Sequence, residues 1–200
     1  MNTQNLALEH APVFDDISVG LRMAFDHTGR IIESTTAEDL DLPTPCPGWN
    51  VATIEGHIVE ALDMFGAAVT GRAPSTVEEA NAEATIDVAA AFRRSGDATL
   101  AAWATPGRMD RPVQLPFGQF PALLAAQINL LETFVHGCDI AKATGREELV
   151  DQSLCASVQD MAIQAGFDAF RLPGMFGPEV KISETRSDLD RLLSYVGRTV

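Results

Sequence analysis

Glu132 and His136 stand four residues apart in the segment ETFVHGCDIAKATG, where most neighbours are apolar. On a helix that spacing puts both side chains on one face, one turn apart. An unpartnered carboxylate in apolar surroundings costs several kcal/mol or is forced toward its neutral form, so Glu132 needs a partner. His57 occupies a second apolar stripe, formed with Ile54, Ile58, Ala61, Leu62, Phe65 and Val69 at helical intervals. In a bundle such stripes face one another, which would carry His57 to the Glu132/His136 pair. Two imidazoles and one carboxylate suit Zn²⁺, and nickel, iron or manganese tolerate the same set. Spacing alone leaves a second reading open. A buried histidine with an ordinary hydrogen-bond partner, beside an i,i+4 Glu–His couple, would produce the same pattern.

Other residues are weighed in the same way. Asp139 follows His136 by three residues and is placed to accept a hydrogen bond from a ligand imidazole, with a solvated acid near the helix end as the alternative. Cys46 sits between Pro45 and Pro47, a setting that suits loop packing better than reactivity. Cys138 points away from His136 toward the core, and Trp49 anchors its loop against the bundle. His10 and His27 have no paired partner in the pattern and are expected at the surface or on a helix face.

The elements that must position these groups are helical. Apolar residues recur at three- and four-residue steps from Val13 to about Ser34. The prolines of DLPTPCPGW (Pro43, Pro45, Pro47) and Gly48 then impose a rigid loop, and Asn50 is a good N-cap for the His57 helix, which Gly71 and Pro74 end. A third helical stretch covers roughly Thr76 to Trp103, with a break expected near Gly96. Pro106, Pro112 and Pro116 mark an irregular connection or small hairpin. The fourth helix runs from about Phe120 or Pro121 to Lys142, with Gly145 at C′. A segment from Gln152 to Phe170, a Pro/Gly loop and a short helix from Leu189 to Val196 follow. The expected fold is all-α: a four-helix bundle over residues 1–146 and a short C-terminal helical extension, 147–200, packed on it.

Composition narrows the function classes. A net charge of −14 offers no basic patch for nucleic acid or anionic lipid, so neither a nucleic-acid nor a membrane partner is expected. The three cysteines are widely spaced, with no CxxC pair, which excludes a disulfide framework and a thiolate zinc site. The N-terminal residues carry no basic region followed by an apolar core, and the most apolar run, Phe120 to Val135, is broken by Gln127, Asn129 and Glu132. A cytoplasmic place is the expectation.

At this level the chain resembles a known family. TPCPGWNVATIEGHIV resembles the T-P-C-x-G-W signature, ending in a histidine, of DinB-like proteins related to mycothiol-dependent maleylpyruvate isomerase. ETFVHGCDIAKATG is similar to that family's E-x-x-x-H-x-x-D segment, and VQLPFGQFPA and LDRLLSYVGR resemble two segments of a short subgroup. The resemblance implies a DinB-like bundle holding a divalent metal, usually zinc, on His57, Glu132 and His136. Three protein ligands leave a coordination place open, and in the isomerase relatives that place receives the thiol cofactor mycothiol. The implied function is a thiol-using enzyme of isomerase or transferase type, acting on a small molecule. A non-catalytic or stress-related metal-binding bundle and a metal-dependent hydrolase are the alternatives, and a homodimer is admitted. Fuller isomerase relatives carry a larger C-terminal domain that supplies a basic residue to the substrate site. The chain after Gly145 is short, and none of Arg171, Arg186, Arg191 and Arg198 matches that role by motif. Maleylpyruvate isomerisation itself is therefore not expected.

Overall fold

Helices α1 (Ile17–Ser34), α2 (Val51–Thr70), α3 (Val88–Trp103) and α4 (Ala122–Ala143) carry the core of the computed structural model, which describes residues 16–73, 87–171, 177–183 and 185–200. Most of them start where a short polar side chain can satisfy the free N–H groups of the first turn. Asp16, Asn50 and Asp87 accept from Ser18, Thr53 and Ala90 respectively, and Asp151 and Ser187 do the same for α5 (Gln152–Gln164) and α6 (Asp188–Tyr195). α4 instead begins behind Pro121, without a side-chain cap.

Each of α1 and α2 packs on both α3 and α4, which closes a four-helix ring. A two-stranded antiparallel hairpin, β1 (Val113–Leu115) and β2 (Gly118–Phe120), pairs Val113 with Phe120 and lies against α2. α5 and α6 pack on each other and on the outer side of α4. α4 is therefore enclosed from several directions, and 16 of its 22 residues are buried, polar ones included.

Buried polar groups on α4 bond to neighbouring elements. Thr28 of α1 donates to the carbonyl of Thr133 (3.0 Å), and Trp103 of α3 donates from Nε1 to Asn129 (3.1 Å). At Gly137 the α1–α4 crossing is so close that an added Cβ would fall 2.5 Å from Thr28 Oγ1. Glycine there is a requirement of helix approach, and it fixes the height of the neighbouring His136 against the bundle.

The all-α bundle is as expected, and several details are not. α3 runs unbroken through Gly96, whose missing side chain faces Phe25 across the bundle. The segment from Gln152 ends as an α-helix at Gln164 and resumes as a 3₁₀ turn, Phe167–Phe170, because Gly166 takes a left-handed φ of 75°. Val13, His10, Pro74 and the first part of the third helical stretch, up to residue 86, lie outside the described residues. No described helix is long and apolar enough to cross a membrane.

Of the two positions expected for His27, the structure gives the helix face, on α1, and not the surface. It is 1% exposed, its ring lies 4.6 Å from that of Phe134, and among the described residues neither ring nitrogen finds a hydrogen-bond partner. Burial, helped by the charge of Arg30 and opposed by Asp151, pulls its pKa from 6.5 down to about 4. The imidazole is thus neutral in the fold. As pH falls below 6.5 the unfolded chain takes up a proton that the folded chain refuses, so stability is complete above that value and declines until about pH 4. The loss is about 3 kcal/mol. Urea unfolding of wild type and His27→Leu across this window checks it: the wild-type midpoint should fall more steeply with acid. Parallel pH profiles for the two proteins would exclude this origin.

Candidate metal centre

The loop of residues 43–50 is folded by its own backbone. Thr44 N–H donates to the Trp49 carbonyl (3.0 Å), Trp49 N–H to the Cys46 carbonyl (3.1 Å), and Gly48 takes a φ of 82° to close the turn. This delivers Trp49 directly in front of α2. The Trp49 ring centroid lies 4.6 Å from that of His57 and 5.6 Å from that of His136, nearly parallel to the latter at 17°.

α2 and α4 pack side by side and bring three groups to one point. His57 Nε2 lies 2.6 Å from Glu132 Oε1, and His136 Nε2 lies 3.3 Å from the same oxygen. The two imidazoles are 5.1 Å apart and almost perpendicular, and one ligand atom from each of the three residues lies within 4.8 Å of the others. Tetrahedral coordination with bonds of 2.0–2.1 Å separates ligand atoms by about 3.3 Å, so the His136–Glu132 separation already fits and the His57–Glu132 separation is about 0.7 Å short of it. Side-chain exposure is 33% for both His57 and Glu132 and 7% for His136. His57 and Glu132 are thus the solvent-accessible members of the cluster, and His136 is its buried member.

Asp139, three residues after His136, is fully buried and its Oδ2 accepts from His136 Nδ1 at 3.1 Å. That contact occupies Nδ1 and leaves Nε2 directed at Glu132, the orientation a ligand imidazole needs. Burial opposes a charge on either Glu132 or His136, but their mutual attraction outweighs it. Glu132 is held well below the usual carboxylate range by His136 and His57, and Glu132 and Asp139 hold His136 protonated up to about 9. Without a cation, a proton on His136 neutralises part of the acidic charge. A divalent ion is a stronger substitute for that proton, and the donor set fits it.

Comparison with known proteins places the chain in a family. Residues 21–141 match the family described as the mycothiol maleylpyruvate isomerase N-terminal domain. The chain belongs to that family. The matched span contains α2, α4, the 43–50 loop and all three clustered residues. Among curated relatives, an uncharacterized protein of Mycobacterium tuberculosis, found in the CDC 1551 / Oshkosh and ATCC 25618 / H37Rv strains, is 27% identical over 180 residues, covering 88% of this chain and 94% of the relative. The crystal structure of the mycothiol-dependent maleylpyruvate isomerase aligns at 15% identity with a TM-score of 0.48, covering 72% of this chain and 68% of that one. A mutant of the same isomerase aligns at 16% identity with the same TM-score and coverage.

Within this isomerase-family bundle some residues have more to do than their sequence suggests. Trp49 does not merely anchor its loop: it packs on both clustered imidazoles. Cys46, half-buried, places its sulfur within 4.8 Å of ligand atoms of His136 and Asp139, although burial pushes its thiol up. Cys138 is fully buried beside Cys155, in the core as expected. Arg198 went unassigned by motif, yet it lies against Asp139, 3.1 Å from Nη2 to Oδ2. The TPC-x-GW signature was a legible signal for Trp49. Nothing in the local pattern around Arg198 pointed to a residue 59 positions earlier in the chain.

Proposed function

We propose that His57, Glu132 and His136 hold a divalent metal ion, zinc in the first place, in an enzyme of isomerase or transferase type that uses a low-molecular-weight thiol such as mycothiol. The observation that carries this is the convergence of two imidazole nitrogens on one carboxylate oxygen, with His57 and Glu132 partly exposed and His136 buried. Three ligands with a solvent-facing side match catalytic sites, which keep a place open, rather than closed structural ones. A divalent ion bound here would lower the pKa of a coordinated thiol and supply a thiolate nucleophile at neutral pH.

The protein's own contribution is positional. Asp139 holds the imidazole of His136 through Nδ1, and Trp49 limits the rotation of both rings. Glu132 supplies the negative charge that offsets the ion, and the apolar wall of α2 and α4 lowers the local dielectric, which strengthens that attraction. The family match supports a mycothiol-linked activity, and the small molecule acted upon follows from neither fold nor family.

The test is a cobalt-substituted sample, whose visible absorption reports on its ligands. Mycothiol, or a simple thiol at higher concentration, should change the intensity and position of the absorption bands in a saturable way. A spectrum indifferent to every thiol, in a protein that does bind cobalt, removes the thiol part of the proposal. Turnover of ester or amide substrates without any thiol would favour metal-assisted hydrolysis instead.

A further inference from the structure

The far end of the chain is folded back into the bundle by a specific device. α6 ends in a turn in which Gly197 N–H donates to Ser194 (3.0 Å) and Arg198 N–H to Leu193 (2.8 Å). This is the paired pattern that terminates helices with a left-handed residue, and Gly197 supplies it with a φ of 88°. A side chain at Gly197 is excluded a second time, since an added Cβ would sit 2.9 Å from the backbone of Gly177. Arg171 clamps the same turn by donating to the carbonyls of Gly177 (2.7 Å) and Tyr195 (2.8 Å). Lys142 of α4 pairs with Asp190 of α6 at 3.0 Å, which fixes the helix on its neighbour.

The result is that Arg198, 7% exposed, is aimed at Asp139, which is not exposed at all. Nε lies 3.3 and 3.4 Å from the two carboxylate oxygens and Nη2 lies 3.1 Å from Oδ2, the oxygen that also accepts from His136. Nη1 is spent on the carbonyl of Val196 at 3.4 Å. The guanidinium is thus committed inward, in a poor position to bind an anionic substrate.

We propose that Arg198 is a positioning residue for the metal centre: it fixes the orientation of Asp139, and through Asp139 the direction in which His136 presents Nε2. This rests on the reading of His57, Glu132 and His136 as a metal site. A buried carboxylate needs a counter-charge and donors to hold it in one orientation, and Arg198 provides both. The chain of contacts Arg198–Asp139–His136 makes the C-terminal segment a working part of a site whose proposed ligands all lie in the bundle. Removal of such outer partners lowers metal affinity about 10–100-fold in characterised sites.

The experiment measures cobalt(II) affinity by chelator competition, together with the visible spectrum, for wild type, Arg198→Met and Arg198→Lys. The methionine variant should bind cobalt about 10–100-fold more weakly and with altered bands. Lysine, a point charge without the planar fork, should recover part of the affinity but not the wild-type spectrum. A folded Arg198→Met protein with wild-type affinity and spectrum overturns the inference while leaving the metal reading intact. Wild-type protein that takes up no cobalt overturns the metal reading, and the inference falls with it. If Arg198→Met does not fold, Arg198→Lys decides alone, and a spectrum and affinity identical to wild type count against the proposal.

Discussion

Glu132→Gln is expected to purify folded but nearly free of metal, with zinc affinity reduced more than about 100-fold, beyond the cost of losing an outer partner. The substitution keeps the shape of the side chain and removes its charge. Glu132 is the hub of the cluster, since its Oε1 alone lies within 3.3 Å of both imidazoles. Without the carboxylate, two neutral nitrogens remain, a set that holds zinc weakly at the concentrations of a purification. Elemental analysis of protein prepared without added metal checks this, with wild type expected near one equivalent and Glu132→Gln near zero. His57→Ala should behave in the same direction, leaving a His–Glu pair. Sub-stoichiometric metal in the wild type, or unchanged metal in either variant, would sink the assignment.

The second large effect concerns stability. Arg198→Met should destabilise the fold by about 3–5 kcal/mol, the usual cost of stranding one member of a buried ion pair. Asp139 has no exposure, and the structure surrounds it with Arg198 on one side and His136 on the other. Removing Arg198 takes away its permanent counter-charge. The double variant Arg198→Met/Asp139→Asn should recover a substantial part of the loss, since the stranded charge disappears with it. Chemical unfolding of the metal-free proteins measures both quantities and separates them from metal-linked stabilisation. If the single and double variants are equally destabilised, packing of the arginine stem rather than charge pairing is responsible.

Local pattern was sufficient for most of the bundle. The helical recurrence of Ile54, Ile58, Leu62 and Phe65 specified α2, and these residues are all buried. The spacing of Glu132, His136 and Asp139 put the three side chains within reach of one another along α4, because i, i+3 and i+4 relations are fixed by helix geometry wherever the helix goes. Asn50 was legible as a cap for the same reason: its bond to Thr53 is local. Gly96 misled, because an isolated glycine can mark either a break or a close helix contact, and only the position of Phe25 distinguishes the two. For His27 the surface alternative misled for a related reason. A polar residue on a helix face reads as exposed until the neighbouring helix is known to cover it with Phe134.

By itself, then, the sequence determined which residues could form a metal set and which helices carry them, through periodicity and capping that act within a few residues. It also carried the family, through the TPCPGW loop and the Glu–His segment. Tertiary structure decided what lies next to what at long range: Trp49 against both histidines, and Arg198 against Asp139 across 59 positions. The physical reason is that such contacts depend on how whole helices and turns are packed against each other. A guanidinium committed inward by the turn at Gly197 cannot be told from a free surface cation until that packing is known.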